Sequence, residues 1–352
     1  MKNILYFTKS DLNQTLAVFG EKPYRTKQIW QWIYRFGCRD FSFMSNISKS
    51  SQQILAQNFS IKIPEITQKI VSKDGTIKFL VKFIDNREVE AVYIPEKTRA
   101  TLCISSQVGC TLACKFCHTG TQTLVRNLEF HEIIAQILIA KNIVNDWSST
   151  KKITNIVFMG MGEPFFNYDN VKKAIDILCD EDGLAFSKRR ITISTSGLVP
   201  EIIKSASDIK TNLAISLHAT NDELRSEIMA INKKYPLSQL FSACKEYNQK
   251  NPNDKITFEY VMLKNINDSV ENARELASLI KKYNVNAKVN LIPFNKWEGC
   301  EYESSSGNAT KRFSDILQNN KIITTVRKTR GEDAMAACGQ LKSLSKRIPK
   351  RI

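Results

Sequence analysis

Cys110, Cys114 and Cys117 fall within eight residues, in the spacing Cys-x3-Cys-x2-Cys, while the other six of the nine cysteines are scattered. Thiols grouped this closely are ligands or redox groups before they are packing, because an idle cluster of thiols in one loop invites oxidation. Cys114-Lys-Phe-Cys117-His118 matches the attachment pattern of c-type haem, and Cys114 with Cys117 alone matches a redox pair. Haem leaves Cys110 without a task and fits poorly with the opening "MKNILYFTKSDLNQ", which makes a poor secretory signal. A tetrahedral zinc ion needs a fourth ligand, and His118 adjoins Cys117 so closely that both reaching one ion is constrained. A cubane iron–sulfur cluster fits better: three thiolates hold three irons and one iron stays open for a ligand.

Other polar residues sit at places where they converge only if the chain folds as an α/β sheet. "MGMGEP" (159–164) carries two glycines that let backbone approach a ligand, and Glu163, which can accept a bond from an ammonium group. "STSG" (194–197), "SLHA" (216–219) and "NLIPFN" (290–295) close further apolar stretches and bring Ser194, Ser216, His218 and Asn295. Read singly, Gly-x-Gly is a turn, His218 a structural histidine and Asn295 a loop residue. Their common position at strand ends is what makes a pocket of them.

The elements that must position these groups are legible as short apolar runs alternating with helical stretches. "TLCIS" (101–105), "ITNIVFM" (153–159), "ITIST" (191–195), "NLAISL" (212–217), "ITFEYVM" (256–262) and "KVNLIP" (288–293) predict six parallel βα units, as an open sheet or an incomplete barrel. "EFHEIIAQILIAKNIV" places Ile133, Ile137, Ala140 and Val144 on one helical face, as expected of a helix packed on that sheet. Residues 1–62 read as a small basic helical unit in which Ile29, Trp30, Ile33 and Tyr34 share a face and Arg25, Lys27 and Arg35 cover the others. Residues 63–99 are strand-rich, with a hairpin turn at Asp74-Gly75, and residues 341–352 form a short basic tail.

Lys and Arg number 51 against 35 Asp and Glu, a net charge of +16. That excess favours a polyanionic partner such as RNA, DNA or an anionic surface. Basic runs at Lys188-Arg189-Arg190, Lys233-Lys234, Arg327-Lys328 with Arg330, and Lys346-Arg347 to Lys350-Arg351 supply it. No apolar stretch approaches the roughly 20 residues of a membrane span, so no membrane role is expected and the protein is placed in the cytoplasm. Cys38, Cys179, Cys244 and Cys300 match no motif.

With these features together, the cysteine motif resembles that of the radical S-adenosylmethionine (SAM) superfamily. Within it the chain resembles the RlmN-type dual-specificity RNA methyltransferases, through "VEAVYIP", "RATLCISSQVGC", "CKFC", "MGMGEP", "SKRRITISTSG", "AISLHA", "INKKYP", "FEYVML", "NLIPFN" and "VRKTRGEDAMAACGQL". The resemblance implies a partial (βα)6 radical SAM barrel over residues 100–340, preceded by an RNA-contacting helical domain. It implies a [4Fe-4S] cluster on Cys110, Cys114 and Cys117, and SAM held by Gly162, Glu163, Ser194, Ser216, Leu217, His218 and Asn295, with Leu217 contributing backbone only. It further implies methylation of C2 of an adenine in 23S rRNA and of the adenine beside the anticodon in tRNA. Two SAM molecules are consumed per product, and a reductant such as flavodoxin is needed. By the same resemblance Cys338 carries the methyl group, Cys103 forms a transient disulfide with it, and Glu90 accepts the proton leaving C2. A radical is needed because adenine C2, set between two ring nitrogens, is too electron-poor to attack a sulfonium methyl group. The alternatives are methylation at C8 by the same chemistry and a non-catalytic zinc RNA-binding module.

Overall fold

The computed structural model describes residues 1–148 and 150–345. Ten strands form one mixed sheet in sequential order. They are β1 (Glu65–Val71), β2 (Ile77–Lys82), β3 (Glu88–Pro95), β4 (Ala100–Cys103), β5 (Asn155–Phe158), β6 (Ile191–Thr195), β7 (Asn212–Ser216), β8 (Ile256–Met262), β9 (Ala287–Pro293) and β10 (Ile323–Val326). Pairings from β4 to β10 are parallel and those among β1 to β4 antiparallel. The sheet stays open between β1 and β10, as a partial barrel requires.

All six expected parallel strands are present, and β10 adds a seventh. Its four side chains are exposed except Thr324, so it offers no apolar run to read. The strand-rich stretch after residue 62 belongs to the same sheet, because β3 pairs with β4 at Val92 to Cys103 and Tyr93 to Leu102. The Asp74-Gly75 turn closes β1 to β2, with Gly75 at φ +83 and Ser72 N–H donating to the Thr76 carbonyl at 2.8 Å.

Parallel strands need helical crossovers, and those helices carry clear signals. Val270–Tyr283 starts at a Ser269/Asn272 capping box, ends at left-handed Asn284 and buries Ala273, Leu276, Ala277 and Ile280. Phe130–Ile143 departs from expectation: it is buried along nearly its whole length and on every side, from Ile133 to Glu132 and Lys141. The sheet covers one side, and the chain's start covers another, with Tyr6 stacked on His131 at 4.0 Å. In the N-terminal helices Ile29, Trp30, Ile33 and Tyr34 are buried as expected, but Arg25 is buried with them, its charge met by Glu21 at 3.1 Å.

Register decides what faces inward. Leu102, Ile156, Ile193 and Phe258 lie outward under the helices at no more than 1 % exposure, each contributing about 1.5–3 kcal/mol. The alternate side chains form the inner face. Paired neighbours Ser216, Glu259, Asn290 and Thr325 make a polar row across β7 to β10.

Candidate active site

The loop after β4 carries the three cysteines. Gly109 sits at φ +79 where a Cβ would come within 2.2 Å of the Thr123 carbonyl, so only glycine lets the loop fold back on itself. Cys110, Cys114 and Cys117 line a cavity with Gly162, Glu163, Ser194, Ser216, His218, Asn295 and Cys338. The strand ends thus bring together nearly all the residues expected there. Leu217 is the exception: it is fully buried and off the cavity wall, its carbonyl accepting from Arg225 at 3.0 Å and its N–H donating to the Glu259 carbonyl at 3.0 Å.

The two glycines of "MGMGEP" do not simply clear space for a ligand. A Cβ on Gly160 would strike Ile104 backbone and the Ser105 hydroxyl, and one on Gly162 (φ +96) would lie 2.4 Å from the Gln107 side chain. They dock the turn against the cysteine loop and thereby hold Glu163 at the cavity. Glu163 is 2 % exposed and accepts from Ser196 N–H at 2.8 Å and Phe165 N–H at 3.1 Å. Burial pushes its carboxyl up, and these bonds pull it partly back.

His218 adopts φ +60 and its Nδ1 accepts from Val261 N–H at 3.0 Å, which puts the proton on Nε2. Burial, with Arg225 nearby, lowers it to about 3, so the ring is neutral and its edge meets Phe116. Arg225, fully buried and absent from the sequence reading, ties the strand ends together: its guanidinium donates to the carbonyls of Leu217, Ser196 and Ser216 and to Asn232. Asn232 belongs to "INKKYP", which is how that motif serves the site.

Cys338 lies exposed on a loop clamped to the cysteine loop. His118 N–H donates to the Gly339 carbonyl at 2.7 Å, His118 Nδ1 contacts the Gln340 carbonyl at 3.2 Å, and the His118 ring stacks on Trp297 at 4.7 Å. His118 is therefore a clamp, off the cavity wall, and not a fourth metal ligand beside the thiols. Asn295 Nδ2 donates to the Cys338 carbonyl at 3.3 Å.

Cys338 also lines a second cavity, whose wall is the inner face of the strands toward their starts: Thr101, Asn155, Thr192, Lys288, Asn290 and Thr325, with Arg99, Lys328 and Arg330. Glu259, Arg327, Asn295 and Cys338 border both. Arg327, read from sequence as part of a basic run suited to a polyanion, turns inward to both cavities and stands near Cys338, Glu259 and Cys103. Glu259 has a sequence signal, a charge alternating with Ile256, Phe258 and Tyr260 in an otherwise apolar strand.

Cys103 ends β4, 8 % exposed and off both cavity walls. Burial and Cys338 push its thiol up to about 12, against a pull from Arg327. Neither Cys103 nor Cys338 is in a disulfide. Glu90 is likewise behind the wall. Its carboxylate pairs with Lys78 at 3.1 Å and accepts from Lys342 N–H at 2.9 Å, next to the lining residue Leu341. Burial raises its carboxyl, and Lys78 and Lys342 N–H counter it.

The donor set at the cysteine loop fits a cluster. All three thiols are free; burial pushes Cys110 up to about 12 and Cys114 and Cys117 upward as well. Such thiols ionise against a strongly positive, thiophilic centre, which bound iron provides. Among the described residues no three His, Cys, Asp or Glu side chains converge on a single metal-ion position. No helix of the described residues is long and apolar enough to cross a membrane. Of the basic runs, Lys346 to Arg351 lies outside the described residues.

Comparison with known proteins agrees with this arrangement. Residues 104–277 match the Radical SAM superfamily and residues 2–61 the ribosomal RNA large subunit methyltransferase N-terminal domain. The chain is 48% identical to the dual-specificity RNA methyltransferase RlmN of Dinoroseobacter shibae, over 99% of this chain and 91% of that one. It is 50% identical to the RlmN of a Ruegeria species, over 99% and 90%. The crystal structure of a radical SAM methyltransferase from Sphaerobacter thermophilus superposes with a TM-score of 0.90 at 39% identity, covering 97% of this chain and 99% of that one. With its cysteine loop, its open parallel sheet and this likeness along nearly its whole length, the chain belongs to the RlmN family of radical SAM RNA methyltransferases.

Proposed function

We propose that this enzyme methylates C2 of an adenine in 23S rRNA and of the adenine 3′ to the anticodon in tRNA, with Cys338 as methyl carrier. The observation that carries the proposal is the position of Cys338: one cysteine borders both the cavity of the three thiols and the polar cavity beyond. A carrier must meet a donor on one side and an acceptor on the other. Cys110, Cys114 and Cys117 would hold the [4Fe-4S] cluster, and Gly162, Glu163, Ser194, Ser216, His218, Asn295 and the backbone at Leu217 would hold or frame SAM. Bound there, cluster and SAM supply the methyl group, the electron and the hydrogen-abstracting radical, two SAM molecules being used per product.

The chain's own residues do the rest. The Cys338 thiolate takes the methyl group as a thioether. After that carbon has lost a hydrogen atom and joined C2, the adduct would give up its unpaired electron to the bound cluster, Glu90 takes the C2 proton and the Cys103 thiolate attacks the Cys338 sulfur. An S–S bond forms, the sulfur–carbon bond breaks, and the released carbon is protonated to the product methyl. A reductant such as flavodoxin supplies electrons to the cluster, and two electrons return the disulfide to thiols. Glu90 reaches the base once its Lys342 contact opens, since it now stands behind Leu341.

Residues 1–62 would contact RNA, residues 63–99 join them to the barrel at 100–340, and the tail at 341–352 adds charge; the enzyme works in the cytoplasm. The exposed Lys233 and Lys234 and the run at Lys188 to Arg190 supply cations for phosphate. Incubating anaerobically reconstituted enzyme with defined rRNA and tRNA fragments tests the proposal. It predicts 2-methyladenosine by mass spectrometry; 8-methyladenosine, or zinc without sulfide in the protein, contradicts it.

A further inference from the structure

The neck between the two cavities holds more chemistry than the carrier role uses. Glu259 and Arg327 border both cavities beside Cys338. Glu259 is 6 % exposed and fixed through one oxygen, which accepts from Asn290 Nδ2 at 2.8 Å; Asn290 is itself held by the Thr325 hydroxyl at 3.0 Å. Its other oxygen has no hydrogen-bond partner among the described residues. Arg327 follows β10, its N–H anchored on the Leu291 carbonyl at 2.8 Å. Its guanidinium makes no hydrogen bond or ion pair among the described residues, although it lies within electrostatic reach of Glu259 and Cys338. A rigid acceptor and an unpaired fork of donors thus stand side by side, too far apart to satisfy each other.

Adenine presents a matching order along one edge. C2 is followed by N1, an acceptor, and then by the N6 amino group, a donor. We propose that Glu259 and Arg327 form the base-reading element of this enzyme: with C2 at the Cys338 sulfur, Arg327 donates to N1 and Glu259 accepts from the N6 amino group. The inference rests on the proposed function and adds residues to it. The Arg327 bond has a second effect, because a cation on N1 draws electron density from C2 and stabilises the charge that builds on the ring when a carbon radical adds there. Neither residue touches phosphate, so their contribution goes to base identity and not to general RNA affinity.

The test uses holoenzyme and short RNA hairpins carrying adenosine, purine riboside (no N6 amino group) or 1-deazaadenosine (no N1) at the target position. Single-turnover rates and hairpin Kd are measured for the wild type and for Glu259→Gln, Arg327→Lys and Arg327→Met. On adenosine each substitution is expected to cost roughly 10- to 100-fold, the worth of one hydrogen bond to a charged group. Glu259→Gln is expected to cost little further on purine riboside, and Arg327→Met little further on 1-deazaadenosine. Equal losses on all three bases overturn the inference, as does a change confined to SAM affinity. If Arg327→Met fails to fold, Glu259→Gln and Arg327→Lys carry the same comparison. A wild-type enzyme that methylates no adenosine hairpin contradicts the proposed function, whereas methylation with unchanged discrimination in the variants contradicts only this inference.

Discussion

The two cavities that meet at Cys338 are built in different ways. The one at the strand ends is made by loops: a thiol-bearing loop, a glycine turn docked against it, and His218 in a left-handed conformation beside strand ends that buried Arg225 ties together. The one toward the strand starts is made by register: every second residue of β4 to β10 points inward, and there Thr101, Asn155, Thr192, Lys288 and Asn290 replace the aliphatic filling of a closed barrel. The first is suited to holding a cofactor rigidly. The second is polar and cationic, with Arg99, Lys288, Lys328 and Arg330 on its wall, suited to admitting part of a polyanion. Substitutions should therefore separate by side, and only those at the neck should fail on both.

The largest effect is expected at the neck and its partner. Cys338→Ala abolishes methylated RNA while leaving the iron and sulfide content of the protein unchanged. Cys103→Ala lets carbon–carbon bond formation proceed and blocks its resolution, so RNA remains covalently attached to protein, visible as a denaturation-resistant band. RNA methylated normally by either variant would end the two-sided picture.

Glu90→Gln comes next, lowering product formation by about 10²- to 10⁴-fold, the usual worth of a general base. Burial raises the Glu90 carboxyl above its ordinary 4.5 against the pull of Lys78, so the acid limb of the pH–rate profile lies above that value. Lys78→Met moves the limb higher still, and an unmoved limb would assign it to another group.

On the cofactor side the loss is one of stability. Arg225→Met leaves the Leu217, Ser196 and Ser216 carbonyls without their donor and costs about 3 kcal/mol or more in denaturant melts. His218 adds a pH signature. Burial, then Arg225, hold its folded value near 3 against 6.5 for an ordinary histidine. Below 6.5 the unfolded chain binds a proton that the fold refuses. Stability therefore falls by about 1.4 kcal/mol per pH unit as pH drops toward 3. His218→Asn, which tolerates φ +60, flattens that slope.

The smallest effect belongs to the polar side. Lys288→Met and Lys328→Met each weaken RNA binding modestly. Where the lysine meets a phosphate, the salt dependence shrinks by roughly 0.7 per contact, with SAM binding unchanged. Loss of SAM binding instead would erase the distinction between the cavities.

The same division explains how much could be read in advance. Strand ends with Ser194, Ser216, His218 and Asn295 were legible because parallel strands gather their ends on one side, whatever the details of packing. Leu217 sits off the wall because Arg225 and Glu259 take its backbone, a three-dimensional arrangement with no trace in spacing. Arg225 itself gives no signal, since a buried arginine and a solvated one look alike in a helix of charged residues. Arg327 misled by composition: its neighbours Lys328 and Arg330 suggested a surface run, and only the turn after β10 brings it inward. β10 escaped notice for a related reason, its edge position leaving three of four side chains exposed. Glu259 was within reach, because a carboxylate alternating with Ile256, Phe258 and Tyr260 in a central strand faces either a ligand or another charge.

The account turns on one sulfur serving both sides, and labelling the methyl group tests this most directly. Anaerobic holoenzyme is given SAM with a deuterated methyl group, first alone and then with RNA, and the Cys338 peptide is weighed at each stage. The account predicts a labelled methyl on Cys338 before RNA is added and its transfer to adenine afterwards; label reaching RNA while Cys338 stays bare throughout, or in Cys338→Ala, would contradict it.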